Sequence, residues 1–260
     1  MRRYLWLLLL PLFFFVHSVC AQNQSSIDAY QQFLNSYRRY QGLIEPFNTK
    51  RSRHLTFQSV STQVELLQSS KELAGAEIDA LNAYATFIRS LLAEATQILE
   101  YRENYLYVKL DDELAFLKLA KEKAPTLSSL NEVGELLADL STHHKKISQM
   151  NYQIKSLIEI ESAKKILNNL KVEKGKIGSF MEGEKTETAN VLAAKEKFNE
   201  LEKELNDAET LIKTADGYQK NLEGGNPAAV SRQIRETLER SITKINQVVL
   251  GYKNIVFSLK

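Results

Sequence analysis

Cysteine is nearly absent from this chain: Cys20 is the only one in 260 residues. A structural disulfide is excluded, so stability has to come from packing. Proline is almost as scarce. Pro11, Pro46, Pro125 and Pro227 are the whole set, which rules out a Pro-rich linker or a PPII stalk. Charge of one sign is missing too, with 34 Lys and Arg against 32 Asp and Glu. Without a global positive field the chain is not expected to bind nucleic acid specifically.

Signatures of the common chemistries are also lacking. The sequence has no HExxH and no GxSxG, and Gly175-Lys176 is followed by Ile177 without the spacing of a phosphate-binding loop. Asp111-Asp112-Glu113 sits on an expected helix, where successive carboxylates fan around the axis rather than converge. His143 and His144 are adjacent and point about 100° apart. Asp139 and His143 have the i, i+4 spacing of a helical metal pair, but no further ligand lies near them in sequence. The expectation is no catalytic residue, no metal and no cofactor.

One long hydrophobic run is present, at the start. Arg2 and Arg3 precede an unbroken apolar stretch from Tyr4 to Val16, and Val19-Cys20-Ala21 supplies short residues at a cleavage position before Gln22. Residues 1–21 are therefore expected to be a signal peptide, placing the mature chain in a secreted or extracytoplasmic location (periplasm or cell surface) with no transmembrane span. The alternative is an uncleaved signal anchor, against which Pro11, His17 and Ser18 argue. Cleavage would remove Cys20, and the loss of Arg2 and Arg3 would leave 32 cations against 32 acids. Asn23-Gln24-Ser25 matches a glycosylation sequon, which matters only in a eukaryote.

The rest of the chain is dominated by apolar residues spaced alternately by three and four, the signature of a helix that buries one face. Tyr30, Phe33, Tyr37, Tyr40, Ile44 and Phe47 form the first stripe, which Pro46 is expected to kink or end. A second helix is expected over 61–99, interrupted only by Lys71, and a third over 101–123, stopped by Pro125. Ser129 and Glu132 form a capping box that starts a fourth, expected to run to Val172 with His144 and Asn151 on its apolar seam. Gly175, Gly178 and Gly183 predict a loop. Beyond it Val191 to Leu222 is the cleanest heptad run, stopped by Gly224-Gly225, and Asn226-Pro227 opens a last helix through Ile234, Leu238, Ile242, Ile245, Val249 and Tyr252. The fold class is all-α, an elongated bundle of long antiparallel helices with coiled-coil-like packing. The expected organisation is a signal peptide over 1–21, an N-terminal helical bundle over 22–172, a glycine-containing loop over 173–186 and a C-terminal helical hairpin over 187–260 packing on the bundle.

The tyrosine stripe in DAYQQFLNSYRRYQGLI, the long helix ELLQSSKELAGAEIDALNAYATFIRSLL and the leader together resemble a group of exported all-helical proteins of unknown function from candidate-phylum, small-genome bacteria. The resemblance covers about residues 27–180. It implies a helical exported protein and carries over no functional residue.

One local feature points to a ligand. Arg38, Arg39, Lys50, Arg51, Arg53 and His54 lie in a stretch with a single acid, Glu45, beside the aromatic stripe. Interleaved cations and aromatics suit an anionic polymer or a membrane surface. The leading expectation is instead a non-enzymatic structural or protein-interaction protein, a spacer or scaffold of the cell envelope. It would meet a protein partner, or itself, through its helix faces.

Overall fold

A computed structural model describes residues 24–98, 100–183 and 188–259. The expected signal peptide, Asn23 of the sequon and residues 184–186 of the expected loop lie outside them. Among the described residues there are six α-helices, two short 3₁₀ segments and no strand: α1 Gln24–Phe57, α2 Val60–Glu94, α3 Glu100–Lys123, α4 Leu130–Gly183, α5 Ala189–Tyr218 and α6 Pro227–Ser258. The all-α expectation holds, and the helices pack side by side as bundles.

Local chemistry sets most of the boundaries. Ser59 and Thr62 form a reciprocal capping box at the start of α2, and the turn before it closes through Gln58 at φ 45°. Pro125 ends the third helix in a 3₁₀ turn. The Ser129–Glu132 box is formed, with the Ser129 N–H donating to the Glu132 carboxylate at 3.1 Å and the Glu132 N–H donating to Ser129 Oγ at 3.2 Å. A further bond from the Ser128 N–H helps hold the Glu132 carboxyl below the usual carboxylate range. Asn226 caps α6 by accepting from the Ala229 N–H at 3.1 Å, with Pro227 in the first turn. Lys71, the one interruption in the α2 stripe, donates to the Pro125 carbonyl at 3.2 Å.

Three boundaries differ from expectation. Pro46 lies inside α1 and does not end it. The four residues before it explain this: Pro46 deprives only the Gly42 carbonyl of its donor, and both residues face solvent, where water accepts that role. The α2 helix ends at Glu94 with no Gly or Pro to mark the end. Ala95 and Ile98 in the following turn are still buried, so the apolar rhythm runs on across the break. Finally, residues 173–183 are helical rather than loop. Met181 joins the buried core, Lys171 and Lys174 pair with Glu209 and Glu202 on α5, and these contacts outweigh the roughly 1 kcal/mol that each helical glycine costs.

The chain forms two compact units, one holding the chain to Thr96 and Glu100–Met150, the other Gln97–Leu99 and Asn151–Lys260. The division falls inside α4 rather than at the glycine-containing segment. In the first unit α1 and α2 run antiparallel, linked by Tyr30–Phe87 and Phe33–Tyr84 ring contacts at 5.1 and 4.9 Å. The Glu94 carboxylate at the end of α2 accepts the Ser26 N–H at 2.9 Å, satisfying a donor in the first turn of α1. Arg89–Asp111 and Lys121–Asp79 pairs then set α3 antiparallel to α2.

In the second unit the α5 stripe is buried as its spacing predicts, through Val191, Leu201, Leu205, Ala208, Ile212 and Ala215. Lys164–Asp216 and Lys171–Glu209 pairs align α5 antiparallel to α4, and Lys244–Glu204 aligns α6 antiparallel to α5. On α6 the register departs from the apolar pattern: Ile242 is 43% exposed while Ser241 is fully buried at 0%. Small residues explain it. Ser241 Oγ donates to the Ala208 carbonyl at 3.0 Å, and the missing side chain of Gly251 leaves room for Leu201, so α5 and α6 approach closely along a track of Ser, Ala and Gly.

Two predictions test this core. A Cβ on Gly251 would collide with the Leu201 isobutyl group, whereas one on the exposed Gly175 meets nothing within 4 Å. Gly175→Ala should therefore stabilise by about 1 kcal/mol. Gly251→Ala should destabilise by about 1–3 kcal/mol in urea unfolding, an increment that should largely vanish when the same substitution is made in a Leu201→Ala background. The second concerns Tyr252, whose buried hydroxyl has no hydrogen-bond partner among the described residues. Burial, then the Glu202 charge, push its pKa up to about 12. The unfolded chain ionises from about pH 10 and the folded one only near 12, so stability is lost as pH rises through that window. Tyr252→Phe should leave stability at pH 7 equal or higher by about 1 kcal/mol and flatten the alkaline loss.

Candidate functional site

The six cationic residues singled out in the sequence all lie on α1, but they do not form one patch. Arg38 and Arg39 are separated from Lys50 to His54 by about three turns, roughly 18 Å at 1.5 Å per residue. In the first group Arg39 reaches Asp79 of α2 at 3.6 Å, and Arg38 reaches no further than Asn35 Oδ1 on its own helix, at 3.5 Å. In the second group Arg53 pairs with Glu65 at 3.3 Å and His54 Nδ1 lies 3.0 Å from Thr62 Oγ1. Two of the four arginines thus face acids of the neighbouring helix and help hold the hairpin. Lys50 and Arg51 have no ion-pair partner among the described residues.

The aromatic stripe beside them belongs to the hairpin interface. Phe33 and Tyr40 are half-buried against α2. Burial raises the Tyr40 phenol above its ordinary pKa, helped by the Glu77 charge and by Tyr37, and burial likewise raises the Glu77 carboxyl. An open groove between α1 and α2, lined by Gln32, Asn35, Ser36, Arg39, Asp79 and Asn82 among others, is polar and holds both signs of charge. It offers no convergent anion site.

The histidines settle differently from the sequence pattern. His144 is exposed, and it is His143 that lies on the seam, spaced 3–4–3 between Leu140, Ile147 and Met150. Asn151 is half-buried with its Oδ1 unpartnered. His143 Nδ1 meets Glu113 Oε2 at 2.5 Å, and its ring stacks on Phe116 at 3.4 Å between centroids and 7° between planes. Lys146 places an ammonium 3.8 Å from the same carboxylate. The acidic triplet fans as expected: Asp111 pairs with Arg89 in the open, Asp112 is exposed and Glu113 turns inward. Glu113, not Asp139, is the partner of His143. This is a polar contact in the α3–α4 seam, and no group of three or more potential metal ligands occurs among the described residues. Nor is any described helix long and apolar enough to cross a membrane.

The sequence pattern passed over the tip of the α1–α2 hairpin. Leu55, Phe57, Val60 and Val64 are all exposed there; the available signal was the stretch free of acids around them, whereas Val64 fits the three–four rhythm of the second helix, which predicts burial, and is exposed all the same. Against known proteins, the chain matches no family model, no curated protein and no solved structure.

The ion-pair geometry separates the arginines by role. Arg39→Glu together with Arg53→Glu sets like charges against Asp79 and Glu65. It should speed amide hydrogen exchange across α1, at a cost of roughly 1 kcal/mol or less for each of these exposed pairs. Arg38→Glu with Arg51→Glu should leave α1 exchange unchanged. Equal exchange in the two double variants would show that the two ion pairs do not hold α1.

Proposed function

We propose that the protein is a non-enzymatic helical scaffold or spacer of the extracytoplasmic space, working by contact between its helix faces and a protein partner. The outward face of α3 carries this reading. Val108, Asp112, Ala115 and Leu119 are exposed and follow a 4–3–4 spacing, a second helical stripe opposite the buried Leu106, Leu110 and Leu117. A helix that buries one apolar stripe and also exposes Val108, Ala115 and Leu119 along its other side, interrupted by Asp112, has a face left for a further helix. The leader-like start of the sequence and its resemblance to exported helical proteins support the compartment.

Photo-cross-linking in native cell envelope tests it. With the tag at Lys260 and the cross-linker at residue 108 or 119, discrete adducts are expected from both positions, and Ala115→Lys should abolish them while helicity is kept. If neither position gives more product than exposed Lys145, the α3 face has no partner and the scaffold reading fails. Recovery of the chain from the cytoplasm would overturn the compartment.

A further inference from the structure

Leu55, Phe57, Val60 and Val64 are 64, 67, 78 and 60% exposed, four large apolar side chains within ten residues of chain. They do not sit on a frayed end. The Ser59–Thr62 capping box, the left-handed Gln58 and a Gln58 N–H bond to the His54 carbonyl at 2.8 Å close the turn tightly, so the folded hairpin presents these side chains outward. Between Glu45 and Glu65 there is no acidic residue, and the cations of this stretch lie on α1 just before the apolar group. Arg51 stands one turn before Leu55, and Arg53 one turn before Phe57. Lys50 and Arg51 have no ion-pair partner among the described residues.

We propose that the tip of the α1–α2 hairpin binds an anionic lipid bilayer, with Leu55, Phe57, Val60 and Val64 entering the headgroup–acyl boundary while Lys50 and Arg51 meet lipid phosphates. Charge and apolarity together select this ligand. A polyanion such as nucleic acid or an acidic glycan would engage the cations but leave Leu55, Val60 and Val64 in water, and Phe57 is the one exposed ring at the tip, since His54 is half-buried against Thr62. A lipid interface takes up both: it removes apolar surface from water, while long cationic side chains extend to the phosphates. The cations add attraction to an anionic leaflet that falls off with salt. The inference goes beyond the scaffold reading and does not depend on it, since it uses a different surface from the α3 face.

The test uses the full chain with Cys20→Ser and Val60→Cys, labelled at residue 60 with an environment-sensitive fluorophore, so that the signal reports the tip and not the apolar start of the chain. Vesicles of phosphatidylcholine with phosphatidylglycerol should blue-shift the label and expose it to quenchers carried on the acyl chains. A label at Leu119→Cys should not respond. Lys50→Glu with Arg51→Glu should weaken the response to anionic vesicles roughly thirty-fold and bring it close to that with pure phosphatidylcholine. Leu55→Ser with Val64→Ser should reduce acyl-chain quenching with helicity unchanged. Three results would overturn the proposal: no blue shift at residue 60 with anionic vesicles, a shift that Lys50→Glu with Arg51→Glu leaves intact, or a shift given equally by heparin or single-stranded DNA.

Discussion

A helix of 24 to 54 residues gains little from its own hydrogen bonds in water and persists because one face is buried along its length. Every described helix after the first obeys this constraint. Leu110 and Leu117 on α3, Leu140, Ile147, Ile154 and Ile160 on α4, Leu205 and Ile212 on α5, and Ile234 and Val248 on α6 are almost completely enclosed. Each such side chain contributes on the order of 1.5–3 kcal/mol on burial. The interhelical ion pairs contribute far less energy, yet they constrain alignment. Lys164–Asp216, Lys171–Glu209 and Lys174–Glu202 link α4 and α5 at three points along their length. Sliding α5 by one turn would separate every pair at once, so weak contacts select among apolar alignments that hydrophobic burial alone leaves close in energy.

The first helix is the exception, and its composition shows why. Ser26 and Ala29 are its only buried residues among the described side chains, and its aromatics are half-covered at best. Large rings were placed where a helix core would take Leu or Ala, so α1 rides high on α2, held by ring contacts and by exposed Arg–acid pairs rather than by an enclosed seam. A helix attached in this way opens locally at lower free energy than the core does.

Much of the architecture was legible in the sequence, because three–four spacing and end chemistry are local signals. The α3 stop at Pro125, the Ser129–Glu132 box, the Asn226-Pro227 start and the α5 stripe follow from residue types alone. The rest needed tertiary information. Whether Pro46 breaks a helix depends on whether Gly42 faces water, and whether Gly175 and Gly178 form a loop depends on what Ile177 and Met181 pack against. The α6 register turned on small residues: a pattern that counts apolar side chains favours Ile242, whereas close approach favours Ser241 and Gly251. The same limit applied to His143 and His144, where the spacing was right but displaced by one residue, since a polar side chain with a partner at Glu113 can occupy a seam position. Of the cationic cluster, the residue types were visible in the sequence, but not that Arg39 and Arg53 would be spent on Asp79 and Glu65.

Exposure separates residues that build the fold from residues that do something else. A side chain that keeps 60% or more of its surface in water, as Leu55, Phe57, Val60 and Val64 do, adds little to folding, because the stabilisation scales with the area removed from water. A single such residue is ordinary on any protein surface, and Leu250, at 61%, needs no further account. Four grouped on a capped turn are a different case. Polar side chains there would leave the capping box and the Arg53–Glu65 pair in place, while the apolar ones carry the solubility cost of a sticky tip. The acid-free stretch around them compounds that cost by leaving two cations without an internal partner. Neither feature lowers the energy of the folded chain, and the proposed contact of this end of the hairpin with an anionic bilayer would account for both.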